Sequence, residues 1–264
     1  MTEIGKDVGR TFPDLRFFQK GQPGQEKLFR ILTAASFFRA HEESEVLGYT
    51  QGMNFIAGTA LVHLQQHEEN TFWFLVALLC EHKFRQVFNF LSDGTFRVLC
   101  FQLGVLTQVY LPDLHEHLQR QKIPIDIYAS NWFITMFTND LPFDMAPSVL
   151  DVYLLEGHKG LLRIALSILT YLKQELLALQ FDELMVFLSH PNARESIFRG
   201  LDQYWLFQTA STFKITTNLL RQLRRLFIVR EKLAHIKQCV SPEPRQEARA
   251  ALQSEGEVDS RRQL

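Results

Sequence analysis

The chain contains no CxxC pair, no Gly-rich phosphate loop of the GxxxxGK[ST] or GxGxxG kind, no GxSxG elbow and no apolar run of membrane-spanning length. Each absence removes a class of chemistry. The missing phosphate loops and nucleophile elbow take away the signatures of kinases, dinucleotide-dependent enzymes and α/β hydrolases. The three cysteines, Cys80, Cys100 and Cys239, are an odd number at wide spacing, which speaks against a disulfide framework and a thiolate zinc site and fits a reducing compartment. The longest clean apolar run, Phe72 to Cys80, falls far short of the roughly 20 residues of a membrane span. The N-terminal MTEIGKDVGR is polar where a secretory leader would be apolar. An excess of charge of either sign is missing too: 28 Lys+Arg against 29 Asp+Glu leave a formal charge of -1, so no global field draws the chain to nucleic acid or to an acidic membrane surface. These features predict a cytoplasmic protein with no integral membrane segment and no nucleic-acid partner.

What the sequence does have is apolar mass. With 46% hydrophobic and 12% aromatic residues, the 264-residue chain can bury one large core or two fused ones. The period is helical. After Asn70, read as an N-cap, Trp73, Val76, Ala77, Cys80 and Phe84 recur at helix spacing, and so do Leu161, Ala165, Ile168, Leu172, Leu176 and Leu179, which predicts two core-facing helices. Pro112, Pro124, Pro142, Pro147 and Pro191 fall between periodic segments, Gly157 and Gly160 interrupt an apolar run, and Asn192 with Glu195 forms a capping-box pattern. With no alternating β-branched run and no repeat of constant period, the pattern predicts an irregular all-α fold of two helical lobes dividing near Pro112 to Pro142. Residues 238–264 carry no aromatic residue and few large aliphatics, and are expected to be a disordered or loosely helical tail.

Most candidate chemistry has a plain explanation. His63 and His67 stand four apart, but Leu64 occupies the position where a zincin places its glutamate, so no metal site is expected. His115 and His117, two apart, point to different sides of a helix and read as surface residues. Arg221, Arg224 and Arg225 read as the solvated face of an amphipathic helix. Trp132 and Phe133 in YASNWF read as core. Near the N-terminus, Asp7 and Arg10 are spaced to pair across one helical turn, which Thr11-Phe12-Pro13 then stops. Gly5 and Gly9 make that helix intrinsically weak. Tyr49 and Gln51 lie between Gly48 and Gly52, where glycine permits a tight turn or close approach by another chain.

The pattern Ile4-x-x-Asp7-x-x-Arg10-Thr11-Phe12-Pro13, followed by LFRILTAASFF and then Tyr49-x-Gln51-Gly52-Met53-Asn54-Phe55-Ile56-Ala57-Gly58, resembles the TBC domain family of Rab GTPase-activating proteins. The likeness continues through EENTFWFLVALL, LPDLHEHL, YASNWFITMF and LPFDMAPSVLDVYLLEG, covering roughly residues 4–230. It implies a TBC-type domain over residues 1–237 that lacks the helices usually found before the IxxDxxR segment. It also implies a GTP-bound Rab-family GTPase as partner, met transiently at vesicle or organelle membranes. The domain would be no enzyme on its own and would hold no cofactor; GTP and Mg2+ would belong to the partner. By the resemblance, Arg10 is an arginine finger and Gln51 a glutamine finger. Asp7 would support the arginine, and Tyr49 would either brace the glutamine loop or pack in the core. Thr11, Gly52 and Asn54 are candidate partner contacts, Asn54 with an N-cap as its other reading. The alternative is a catalytically weak binding module or scaffold of the same fold.

Overall fold

A computed structural model describes residues 2–39, 47–88, 94–189 and 197–240, with side chains as far as 237. Among these residues the regular structure is helical. Thirteen α-helices run as α1 (Glu3–Gly9), α2 (Pro23–Ser36), α3 (Met53–His63), α4 (Glu68–Cys80), α5 (Thr95–Tyr110), α6 (Pro112–Arg120), α7 (Asp126–Ile134), α8 (Ala146–Glu156), α9 (His158–Tyr171), α10 (Lys173–Ala178), α11 (Phe181–Ser189), α12 (Gln203–Thr212) and α13 (Thr217–Val240). Short 3-10 turns at Arg16–Phe18 and Phe84–Phe88 complete the set. The described residues up to 222 form one compact unit, and those from 223 onward belong to a second.

Two helices organise the first unit. α3 is apolar nearly all round and buries Met53, Ile56, Ala57, Gly58, Ala60 and Leu61, as a helix surrounded by others must. It touches α1, α2, α4 and α8. α9 is the other buried helix, ringed by α5, α8, α10 and α12, and its Leu161, Ala165 and Ile168 are fully inaccessible. α8 packs on both. The packing does not divide near Pro112–Pro142: α5, before Pro112, belongs with α9 beyond Pro142, because its Leu99, Leu103 and Leu106 continue the same apolar core.

Several local expectations need correction. α4 starts at Glu68 with His67 as its cap, and Asn70 lies inside the first turn; Glu68 and Glu69 there favour the positive end of the helix dipole. Trp73 is 52% exposed, and the buried residues of α4 are Thr71, Leu75, Val76, Leu78 and Leu79, so that of the expected stripe within the helix Val76 is buried and Trp73 is not; a segment apolar on every side does not reveal which face is inner. The second periodic run holds from Leu161 to Leu176, but the helix breaks at Leu172 into α9 and α10, and Leu179 is the extended, half-buried cap after α10. His117 is buried, its Nε2 3.0 Å from the Leu179 carbonyl oxygen, because α6 packs against α10. Trp132 and Phe133 are fully buried, as expected. The Asn192–Glu195 pattern, Pro191 and the tail beyond Val240 lie outside the described residues.

Candidate functional site

The short helix α1 forms despite its glycines because neighbours support it. Thr2 caps it, accepting from the Gly5 N–H, and Asp7 and Val8 are buried against the unit while α2 and α3 pack on the helix. The chain then stops at Arg10 and turns sharply through Phe12, which takes a left-handed φ of 46°. Such a conformation in a bulky residue persists only when its surroundings impose it. Here the Phe12 ring sits among Phe18, Phe55 and Phe143, with centroids 4.9–5.8 Å away. A Cβ on Gly58 would come within 3.1 Å of that ring and 3.2 Å of the Thr11 methyl, so glycine is what lets α3 lie directly against this turn.

Asp7 is the hub. Arg10 donates from Nε to Asp7 Oδ1 at 3.0 Å and places Nη2 at 2.8 Å from the same oxygen. The other oxygen, Oδ2, accepts the Tyr49 hydroxyl at 2.5 Å. The carboxylate thus joins a residue of α1's exit to one of the loop before α3. A second link runs beneath it: Asn54 Nδ2 donates to Thr11 Oγ1 (2.8 Å), whose hydroxyl donates to the Asp7 carbonyl (2.7 Å), while Asn54 Oδ1 accepts the Gly52 N–H (3.1 Å). Burial and the bond to the Asp7 carboxylate push the Tyr49 phenol well above its ordinary pKa, since ionisation would set two negative charges side by side in a partly desolvated place.

Asn54 and Thr11 are therefore not presented to a partner. They are 0% and 1% exposed and fully engaged inside, and Asn54 is the second residue of α3 with Gly52 in the cap position, so the N-cap reading also fails. Gly52 adopts φ 108°, and a Cβ there would lie 2.4 Å from Ile134 Cγ2 on α7. No other residue type fits that approach without displacement. Tyr49 combines both of its readings, packing against the core while its hydroxyl bonds Asp7.

Arg10 and Gln51 end up on one cleft. Its volume is about 480 Å³, and Arg10, Gln51 and Gly52 on one side face Ser130, Asn131 and Asn139 on the other. Arg10 is half exposed, with its Nη1 group unbonded to the described residues. Gln51 is exposed and makes no hydrogen bond to them. The far wall was not legible as a site: Ser130 and Asn131 sit beside the Trp132–Phe133 pair read as core, and Asn139 lies beyond that segment. Asn131 donates to Asp140 Oδ2, and Asn139 donates to Asn131 Oδ1 at 3.3 Å. Asn131 is carried by α7 itself, and Asn139 is placed by an unusual exit from that helix through Met136 (φ 50°) and Phe137 (φ 61°), two fully buried left-handed residues. An Asn-Asp pair at the end of an apolar helix was the available signal. No group of His, Cys, Asp or Glu side chains capable of holding a metal occurs among the described residues. No helix among them is long and apolar enough to cross a membrane. Cys100 is buried, and desolvation pushes its thiol up to about 12.

A model of the Rab-GTPase-TBC domain matches residues 1–177. The chain belongs to the Rab-GTPase-TBC domain family. Among curated relatives, the ecotropic viral integration site 5 ortholog of Drosophila melanogaster is 32% identical over 225 residues, 84% of this chain and 26% of that protein. The Rab GTPase-activating protein eat-17 of Caenorhabditis elegans is 32% identical over 228 residues, 86% of this chain and 24% of that one. The TBC chain thus spans about a quarter of the length of these relatives. Among solved structures, the Chlamydomonas flagellar RabGAP TBC domain superposes with a TM-score of 0.63 at 28% identity, covering 78% of this chain and 65% of that one. The Ypt/Rab-GAP domain of Gyp1p, at 18% identity and a TM-score of 0.57 over 88% of this chain and 72% of its own, shares the fold.

Proposed function

We propose that this TBC domain is a GTPase-activating protein for a Rab-family small GTPase, and that Arg10 and Gln51 enter the nucleotide site of the GTP-loaded partner. The convergence of these two side chains on one cleft, from segments far apart in sequence but tied through Asp7, supports the reading. In GTP hydrolysis the transferred phosphoryl group spreads charge over its oxygens, so catalysis consists chiefly of positioning and electrostatic stabilisation. Arg10 supplies the cation, its Nη1 edge turned away from Asp7. Gln51 orients the attacking water, which a carboxamide does well because it donates and accepts without adding charge. GTP and Mg2+ belong to the partner, as does the hydrolytic site. Residence at vesicle or organelle membranes follows from the partner's location.

The test is phosphate release from a panel of GTP-loaded Rab proteins, with this chain and its Arg10→Ala and Gln51→Ala variants. Acceleration of one Rab that either substitution abolishes, with binding retained, is the expected result. Binding without acceleration by the unsubstituted chain refutes the finger mechanism and leaves a docking module of the same fold.

A further inference from the structure

The second unit carries a surface that the cleft chemistry leaves unused. On α13, Leu226, Val229, Leu233 and Ile236 are 55, 53, 53 and 58% exposed. Their spacing of three, four and three residues is that of successive a and d positions in a heptad. At about 1.5 Å per residue the stripe is roughly 15 Å long. It is narrow and contains no aromatic residue. An interfacial membrane helix presents a wider apolar face, commonly with aromatic residues, whereas a strict a/d stripe is the seam that receives another helix.

The flanks select among helices. With Leu226 as an a position, Arg225 and Lys232 occupy g positions and Arg230 and Lys237 e positions; every edge of the seam is basic. Two parallel copies would set Arg225 against Arg230 and Lys232 against Lys237, and antiparallel copies would also meet only like charges. Self-pairing is opposed in either direction. Residues 241–264 offer only Leu252, Val258 and Leu264 as large aliphatics, six residues apart, and no heptad register brings them onto one seam. We propose that the exposed face of α13 docks a helix of another protein that has aliphatic a and d positions and acidic e and g positions. The proposal is independent of the GTPase reading, since it uses none of the cleft residues.

The probe is a fluorescent synthetic peptide of about four heptads, long enough to be helical when paired, with Leu at a and d and Glu at e and g. Its control carries Lys at e and g. Anisotropy titration with the whole chain should show binding of the acidic peptide alone, weakening as salt rises. Leu233→Gln with Ile236→Gln should weaken it by about tenfold or more, the loss of little more than one aliphatic contact. Lys232→Glu with Lys237→Glu, which leaves Arg225 and Arg230 in place, should narrow or remove the preference for the acidic peptide. These side chains are exposed, and far-UV circular dichroism confirms that the variants keep their helix. Equal binding of both peptides, no binding of either, or indifference to the substitutions overturns the proposal. So does a dimer in sedimentation velocity that Leu233→Gln abolishes, or capture of the chain by phosphatidylserine vesicles through the same residues, since the occupant would then be a second copy or a lipid surface.

Discussion

Tyr49→Phe removes one oxygen from the molecule and tests whether Asp7 joins the two halves of the cleft's near wall. The ring stays packed against the core, so no cavity opens, and the loss is the 2.5 Å bond to Asp7 Oδ2. Asp7 is only 6% exposed, and water cannot readily replace the missing donor, while Oδ1 keeps Arg10. A hydrogen bond to a charged acceptor contributes about 1.5–3 kcal/mol. With a urea dependence of about 3 kcal/mol per molar for a domain of this size, the midpoint should fall by roughly 0.5–1 M at unchanged slope. Asp7→Ala alone and the double variant complete a cycle whose coupling should lie within about 0.5–3 kcal/mol, as for contacting residues. Stimulated phosphate release should fall by roughly tenfold, because a loop no longer tied at its base holds Gln51 less well. An unchanged urea midpoint, or a coupling near zero, would refute the tie.

Other perturbations read the same network and its surroundings. The folded-state pKa of Tyr49 is raised by burial and by Asp7, so its contribution is fully present below about pH 10 and is lost as pH rises beyond that, at about 1.4 kcal/mol per pH unit. Tyr128 and Tyr153 are raised by burial as well; the stability gap between the unsubstituted chain and Tyr49→Phe isolates Tyr49, and in urea titrations it should narrow above about pH 10. Gly52→Ala, with its Cβ aimed at Ile134 Cγ2 from a φ of 108°, should cost about 2–4 kcal/mol, and adding Ile134→Ala should recover the steric part in the same denaturation assay. His117→Ala, which leaves the Leu179 carbonyl without its buried partner, should lower thermal stability by about 1–3 kcal/mol at the midpoint.

Helices were legible where one face was apolar, as with the Leu161 to Leu176 series, whose members are all buried. α4 was legible as a helix but not in its orientation, because apolar residues surround it and only the packing of α2 and α3 decides that Leu75 turns in and Trp73 out. In the site, the Asp7–Arg10 pair followed from i,i+3 spacing. The meeting of Asp7 with Tyr49 did not, since it depends on α3 lying against the Thr11–Phe12 turn through Gly58. Thr11 and Asn54 look alike in sequence to contact residues, and only burial distinguishes a side chain that supports a loop from one that greets a partner. The far wall escaped because Asn139 is brought back beside Asn131 of α7 by two left-handed residues for which Met and Phe give no signal.

A side chain that must act inside another protein has to be fixed at its base and available at its tip, and the two candidates meet this requirement differently. Gln51 has no hydrogen bond to the described residues to give up, and Gly52 beside it, at a φ that only glycine adopts readily, fixes only the backbone. Arg10 is fixed by its own charge: Nε and Nη2 hold Asp7 Oδ1, and Nη1 stays open. That division needs a planar fork, which lysine lacks, since one ammonium cannot both hold Asp7 and present a separate donor beyond it. Arg10→Lys preserves the charge and should change stability little, the exposed end of such a pair contributing less than about 1 kcal/mol. Acceleration of Rab hydrolysis should nevertheless drop by a large part of the roughly thousandfold that an arginine in trans supplies. A lysine variant that accelerates phosphate release as well as arginine would show that only charge is required there, and the fork geometry at Asp7 would then have no part in the chemistry.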